Sequence, residues 1–229
     1  MTKAERLEKM QECLNVMKSF DSRFRAGGGA GTGEGGIFNL GGIDEVGRGP
    51  LAGPVVTACV VLPDDFDVLG IDDSKKLSEK RRDELYDEII SKALAYGIGI
   101  VDNEVIDEIN ILEATKKAMV MSAEKCGEML ADRGFGELDY VLIDAVKLDD
   151  LDKPYSAIIK GDANSLSIAA ASIVAKVTRD RMMVEFAKEY PWYGFESNKG
   201  YGTAAHYDGI REHGITPIHR KSFLKNLGY

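Results

Sequence analysis

The 229-residue sequence reads as one α/β domain with a short helical appendage in front of it. Apolar runs of strand length, rich in β-branched residues, recur at Ile37 to Ile43, Val55 to Leu62, Tyr96 to Val101, Tyr140 to Ile143 and Tyr155 to Ile159. The longer segments between them return their apolar residues every three or four positions, the helical period. Acidic residues also stand where several of the apolar runs end: Asp44 and Glu45, Asp144, and Asp162 just past Lys160-Gly161. Strand ends are where α/β sheets gather ligands, so these acids can converge if their strands are neighbours.

In chain order, residues 3 to about 24 carry Leu7, Met10, Leu14 and Met17 at helical spacing, with charged residues between them. That pattern predicts an amphipathic helix packed on the domain. Ala26 to Gly36 is mostly glycine and offers nothing to bury, so it is expected to be a flexible linker spanning roughly 17 Å. Residues 1–36 thus form an N-terminal part and 37–229 the main domain. No Gly-Lys-Ser/Thr follows the glycines, which excludes a Walker-type phosphate loop. Val55 to Leu62, closed by Pro63, is a buried strand. Ser78 is placed to cap a helix that carries Leu85, Ile89 and Ala93 on one side. After a strand at Tyr96 to Val101, Asn110 starts a helix with Leu112, Thr115, Met119 and Ser122 on one face. A long helix is expected over about Ser165 to Glu189, its Ala169-Ala170-Ala171-Ser172 run small enough to let the backbone press on the sheet. Past Pro191 the residues themselves read as looped and polar.

Composition narrows the possibilities. Apolar residues make up 44% of the chain, enough for a proper core. No apolar run reaches the roughly 18 residues of a membrane span, and no signal-peptide core opens the chain, so a soluble, cytoplasmic protein with no membrane association is expected. Cys13, Cys59 and Cys126 are scattered among apolar neighbours and suit reduced core thiols. His206, His213 and His219 complete no zinc-binding spacing with them. The net charge of -9 speaks against nucleic acid when taken alone. Base is nevertheless clustered at Lys75 to Arg82, at Lys176, Arg179 and Arg181, and at Arg220, Lys221 and Lys225, each of which reads first as a solvated face.

Gly41-Gly42-Ile43-Asp44-Glu45-Val46-Gly47-Arg48-Gly49-Pro50-Leu51-Ala52-Gly53-Pro54 is the most informative stretch. Adjacent strand residues point to opposite faces, so both carboxylates reach one cation only if the strand ends or twists there. Gly47 and Gly49 let the backbone approach a ligand, and Arg48 supplies a fork of donors suited to phosphate. Asp44, Glu45, Asp144 and Asp162 together would repel one another and raise each other's pKa. Such a set makes sense with divalent cations, and oxygen ligands favour Mg2+ or Mn2+. Two such ions can activate a water and stabilise the leaving oxygen in an attack on a phosphodiester.

The stretch resembles the first motif of the bacterial ribonuclease HII family. So, in the family's order, do Asp73-Ser74-Lys75-Lys76-Leu77-Ser78, Tyr140 to Asp144, Lys160-Gly161-Asp162, Ala169 to Asp180, Gly200-Tyr201-Gly202-Thr203 and His219-Arg220-Lys221-Ser222-Phe223. The likeness spans nearly all of residues 41–224. It implies a ribonuclease H-like catalytic domain over 37–229: a mixed five-stranded central sheet flanked by helices, with a helical C-terminal part. The implied activity is endonucleolytic cleavage of RNA in RNA/DNA hybrids, and incision 5′ of single ribonucleotides embedded in duplex DNA during ribonucleotide excision repair. The four acids would be catalytic and metal-binding. Gly47, Arg48, Gly49 and Tyr201 would read the ribose 2′-hydroxyl, the group that distinguishes RNA from DNA. Ser74, Lys75 and Lys76 would touch phosphate, while His219, Arg220 and Ser222 are either structural or touch the backbone. Asn198 stands where many relatives have histidine. A ribonuclease HIII-type nuclease is the nearest alternative, disfavoured by Arg48 and by the short N-terminal part; a non-catalytic hybrid-binding module is the other. The partner expected is nucleic acid. A monomer is expected, and nothing specific in Phe223 to Tyr229 names a docking partner.

Overall fold

In the computed structural model, residues 2–28, 38–72, 74 and 77–229 are described. Five strands form one mixed sheet in the order β3-β2-β1-β4-β5: β1 (Leu40–Val46), β2 (Val55–Val61), β3 (Ala95–Val101), β4 (Tyr140–Asp144) and β5 (Tyr155–Ile158). β1, β2 and β3 pair antiparallel, while β4 and β5 run parallel to β1. Each strand falls where the apolar runs predict, with ends shifted by a few residues. Ile37 and the glycines at 29–36 lie outside the described residues. The expected linker therefore begins within them only at Ala26, in a π-helical turn over Phe24–Gly28.

Helices cover both faces, each face choosing its residues by strand alternation. Ala58 and Val60 of β2 pack with α1 (Lys3–Arg23), α2 (Glu79–Lys92) and α6 (Leu166–Glu189). Cys59 and Val61 face the other way, with Ile43 and Ile143, onto α4 (Ile111–Asp132). In α1, Leu14 and Met17 are buried but Leu7 is exposed, so the helix docks mainly through its C-terminal half. Asp21 fixes that half, its Oδ2 accepting from the N–H (2.9 Å) and hydroxyl (2.8 Å) of Ser167 at the start of α6. Ser78, Asn110 and Ser165 cap α2, α4 and α6 through side-chain oxygens. Leu112 is an exception to the expected face. It sits in the exposed first turn of α4, and the buried stripe starts at Ala114 and Thr115.

The long helix lies close on β1. A Cβ built on Gly42 would stand 2.1 Å from the carbonyl carbon of Ser167, a distance no packing tolerates. Gly42→Ala is therefore expected to cost ~2 kcal/mol or more and to lower the melting temperature by roughly 4–8 °C. An unchanged melting temperature would mean that α6 can back away from the sheet. Ala169, Ala170 and Ala171 are all fully buried beside this contact.

Two segments depart from the reading of the residues. A short helix, α3 (Asn103–Ile109), follows β3 and is too brief to show a period. Past Pro191 the chain is not simply looped: α7 (Phe195–Asn198) and α8 (Ala204–His213) fold over a small core of Leu51, Met183, Tyr193, Phe195, Ile210 and Leu224. In α8 the residues turned inward are His206, Gly209 and Ile210, so the apolar stripe that marks a helix is nearly missing. One further short helix, α5 (Gly161–Asn164), links β5 to α6. Among the described residues no helix is long and apolar enough to cross a membrane.

Candidate active site

Register brings the first two acids together. Ile43 of β1 lies beside Ile143 of the parallel strand β4, so the next residues, Asp44 and Asp144, follow on the α6 face, close enough for the Asp144 charge to act on Asp44. Asp44 is buried. Loss of solvent, then the nearby Glu45 charge, then that of Asp144, push its carboxyl up to about 8. Opposing this, the Ser172 hydroxyl and the Glu45 N–H (2.7 Å to Oδ1) donate to it. Asp144 Oδ1 accepts from the Gly161 N–H at 2.7 Å, which ties the turn carrying Asp162 to the end of β4. Lys160 makes that turn in the left-handed region, at φ 55°, and Asp162 follows half-buried in the first turn of α5.

Glu45 leaves β1 on the opposite face. Its register partner Thr57 bonds the Ala118 carbonyl of α4, and its Oε1 lies 3.5 Å from Nη1 of Arg48. Among the described residues, no three carboxylates, histidines or cysteines form a ready-made ion cage. The donor set itself, all oxygen and with one carboxyl held far above its ordinary pKa by burial among like charges, fits a hard divalent cation.

The loop after β1 is held by two buried arginines. Arg179 of α6 donates to the carbonyls of Pro54 (2.9 Å), Ala52 (3.1 Å) and Lys199 (2.9 Å). Arg220 donates to Gly47 (2.6 Å), Arg48 (3.0 Å) and Gly53 (2.8 and 3.0 Å). Both side chains are fully buried. A trans peptide points its N–H opposite to its C=O, so with the Gly47 and Arg48 carbonyls turned inward, the N–H groups of Arg48 and Gly49 face outward. Gly47 must be glycine, because φ is +94° and a Cβ would stand 2.3 Å from Arg179 Nε. The Tyr201 ring lies over Gly49, its Cε1 3.5 Å from where a Gly49 Cβ would be, and the residue is 45% exposed.

Other expected residues land differently. Ser74 is buried, and its hydroxyl lies 2.9 Å from that of Ser172, which in turn bonds Asp44. Ordering Asp44 suits that position better than a contact with phosphate. Lys75 and Lys76 lie outside the described residues. Arg82 donates to the carbonyls of Ser74 and Leu77. Arg179 corrects the view of its cluster as a solvated face. It lies seven residues, two helical turns, after Ser172, and that shared face was the available signal. Asn198 bonds the Tyr193 carbonyl, the Gly200 N–H and Thr203 Oγ1, a role in shaping the Tyr201 turn. Ser222, with the Lys221 N–H, is fastened to Asp107 of α3.

The chain is similar to known proteins over most of its length. The family model for Ribonuclease HII matches residues 41–226. A Ribonuclease HII of Clostridioides difficile is 50% identical over 225 residues, covering 98% of this chain and 82% of that protein. Among solved structures, the ribonuclease H2 from Pyrococcus horikoshii superposes with a TM-score of 0.66 at 25% identity, over 81% of this chain and 93% of the other. The PCNA:RNase HII complex from Archaeoglobus fulgidus gives 0.63 at 25% identity, over 80% and 94%.

Proposed function

The chain belongs to the ribonuclease HII family, hydrolases that cut the RNA of RNA/DNA hybrids, and from that premise we propose that it also incises duplex DNA 5′ of a single embedded ribonucleotide. Its fold is the ribonuclease H-like one, and enzymes of this kind need divalent metal. Asp44, Glu45, Asp144 and Asp162 would hold a pair of Mg2+ or Mn2+ ions. When bound, such a pair activates a water and stabilises the leaving oxygen of the phosphodiester. The chain's own residues do the rest: Ser172 and the Glu45 N–H orient Asp44, and Gly161 orients Asp144.

The observation that carries the reading is the continuity of β1 with the clamped loop. Within five residues the same backbone carries Asp44 beside Asp144 and then turns the Arg48 and Gly49 N–H groups outward beneath the Tyr201 ring. A backbone so placed can hydrogen-bond a ribose 2′-hydroxyl near a scissile phosphate, and a ring packed on the next sugar disfavours a hydroxyl there. Arg48, exposed at the rim, and the basic segment around Lys75 and Lys76 are proposed to meet phosphate.

The direct test is a DNA duplex containing one ribonucleotide, incubated with and without Mg2+ or Mn2+, with the cut mapped. Cleavage 5′ of the ribonucleotide, dependent on metal, is expected; cleavage confined to continuous hybrids would refute the finer activity. Tyr201→Ala is expected to reduce kcat/KM on that substrate ~10-fold or more, while the melting temperature stays within a few degrees, because the ring is half-exposed. Parallel losses of stability and activity would instead make Tyr201 a packing residue.

A further inference from the structure

Two histidines, His206 with no role read from the sequence and His219 with its role left open there, form one connected line behind Tyr201. His206 of α8 and His219 are 0% and 1% exposed, and their Nε2 atoms lie 3.0 Å apart. His219 Nδ1 receives the Thr216 backbone N–H at 2.9 Å. At the other end, His206 Nδ1 lies 3.0 Å from the Tyr201 carbonyl oxygen.

The end groups settle where the hydrogens are. A backbone N–H only donates, so His219 Nδ1 accepts and the neutral ring carries its hydrogen on Nε2. That hydrogen points at His206 Nε2, which must then accept, leaving the His206 hydrogen on Nδ1 to be donated to the Tyr201 carbonyl. Every link runs one way, and an added proton on either ring would set two hydrogens face to face. Burial lowers the pKa of both rings, that of His219 to about 4. His206 and Phe195 meet edge to face at 5.1 Å between centroids, and His219 and Tyr193 likewise at 5.1 Å, so aromatic rings enclose the pair.

The line joins the two halves of the site. The backbone of His219 is bridged to Ala52 of the clamped loop, with Gly53 N–H bonding the Ile218 carbonyl and Arg220 N–H the Leu51 carbonyl. The His219 ring reaches, through His206, the residue whose ring covers Gly49. We propose that His206 and His219 are positioning residues for sugar recognition: their hydrogen-bond line, running from Thr216 to the carbonyl of Tyr201, holds the Tyr201 ring in register over Gly49. The inference rests on Tyr201 being the sugar-sensing residue.

The test is a double-mutant cycle in the full chain, read on a DNA duplex with one ribonucleotide, with the melting temperature of every variant recorded. His206→Leu removes both nitrogens, His206→Asn keeps a donor close to the place of Nδ1, and Tyr201→Ala removes the ring. His206→Leu is expected to lower kcat/KM ~10-fold, and His206→Asn to recover most of that. His206→Leu added to Tyr201→Ala should cost little more than Tyr201→Ala alone, because the histidine acts through the tyrosine. If the two losses multiply, or if Asn rescues nothing while remaining folded, the positioning role is wrong. If Tyr201→Ala itself leaves cleavage intact, the sugar-sensing reading fails instead. Should His206→Leu not fold, the Asn variant and its cycle with Tyr201→Ala decide the matter alone.

Discussion

Asp44→Asn is expected to lower cleavage of an RNA/DNA hybrid ~10³-fold or more, the equivalent of about 4 kcal/mol of transition-state stabilisation, and to make the metal-free protein more stable at pH 8 rather than less. The second half of this result separates a metal ligand from a structural carboxylate. Burial and the charges of Glu45 and Asp144 raise the Asp44 carboxyl from 3.8 to about 8. The unfolded chain gives up this proton near pH 4, whereas the folded chain keeps it to about pH 8. Folding stability from this group is therefore present below the lower value and is lost as pH rises between the two. The raised pKa corresponds to roughly 6 kcal/mol over that window. In EDTA, the wild-type melting temperature should fall between about pH 4 and pH 8, and Mg2+ should restore it. The asparagine variant, which cannot ionise, should show a flatter profile and little response to Mg2+. An asparagine variant less stable than wild type at pH 8 in EDTA would mean that Asp44 serves the fold.

The strands were legible because burial on both faces leaves continuous apolar runs, as in Val55 to Val61, where every residue is buried. The long helices were legible from their caps and stripes. Legibility failed where a buried element is not apolar. Arg179 and Arg220 are among the largest fully buried side chains, yet a lone basic residue on a helix or in a loop reads as solvated. Their burial is made possible by carbonyls distant in sequence, such as Pro54 and Gly47. The close approach of α4 to β3 is likewise invisible locally: a Cβ on Gly99 would stand 1.9 Å from the Ala118 oxygen, and the two residues share no motif. The four acids were legible one at a time, from their places at strand ends. Which of them share a face depends on strand order and register. Parallel pairing of β1 with β4 sets Asp44 beside Asp144, and alternation sends Glu45 the other way. His219 was legible as part of a motif, either structural or touching the backbone, but its pairing with His206 gave no signal, because thirteen residues separate them and neither completes a metal-binding spacing.

Arg220→Met should produce the largest loss of stability, and its effect on binding decides what this arginine is for. The guanidinium makes four hydrogen bonds to three loop carbonyls. Each buried carbonyl left without a partner costs ~1–3 kcal/mol, so about 4 kcal/mol in sum and a fall in melting temperature of ~10 °C are expected. Arg220→Lys should recover only part of this, since one ammonium cannot reach Gly47, Arg48 and Gly53 together as a planar fork does. Freed from the clamp, the Arg48 and Gly49 N–H groups lose their fixed outward aim. Discrimination between a ribonucleotide and a deoxyribonucleotide at the cut should then decline in the lysine variant even where it remains folded. A phosphate-binding arginine would behave otherwise: its removal would reduce the slope of log affinity against log salt by ~0.9. Arg220 is fully buried and spends its donors on the protein's own backbone, so the slope in the methionine variant should equal that of wild type. A reduced slope with intact sugar discrimination would move Arg220 from the scaffold to the nucleic-acid surface.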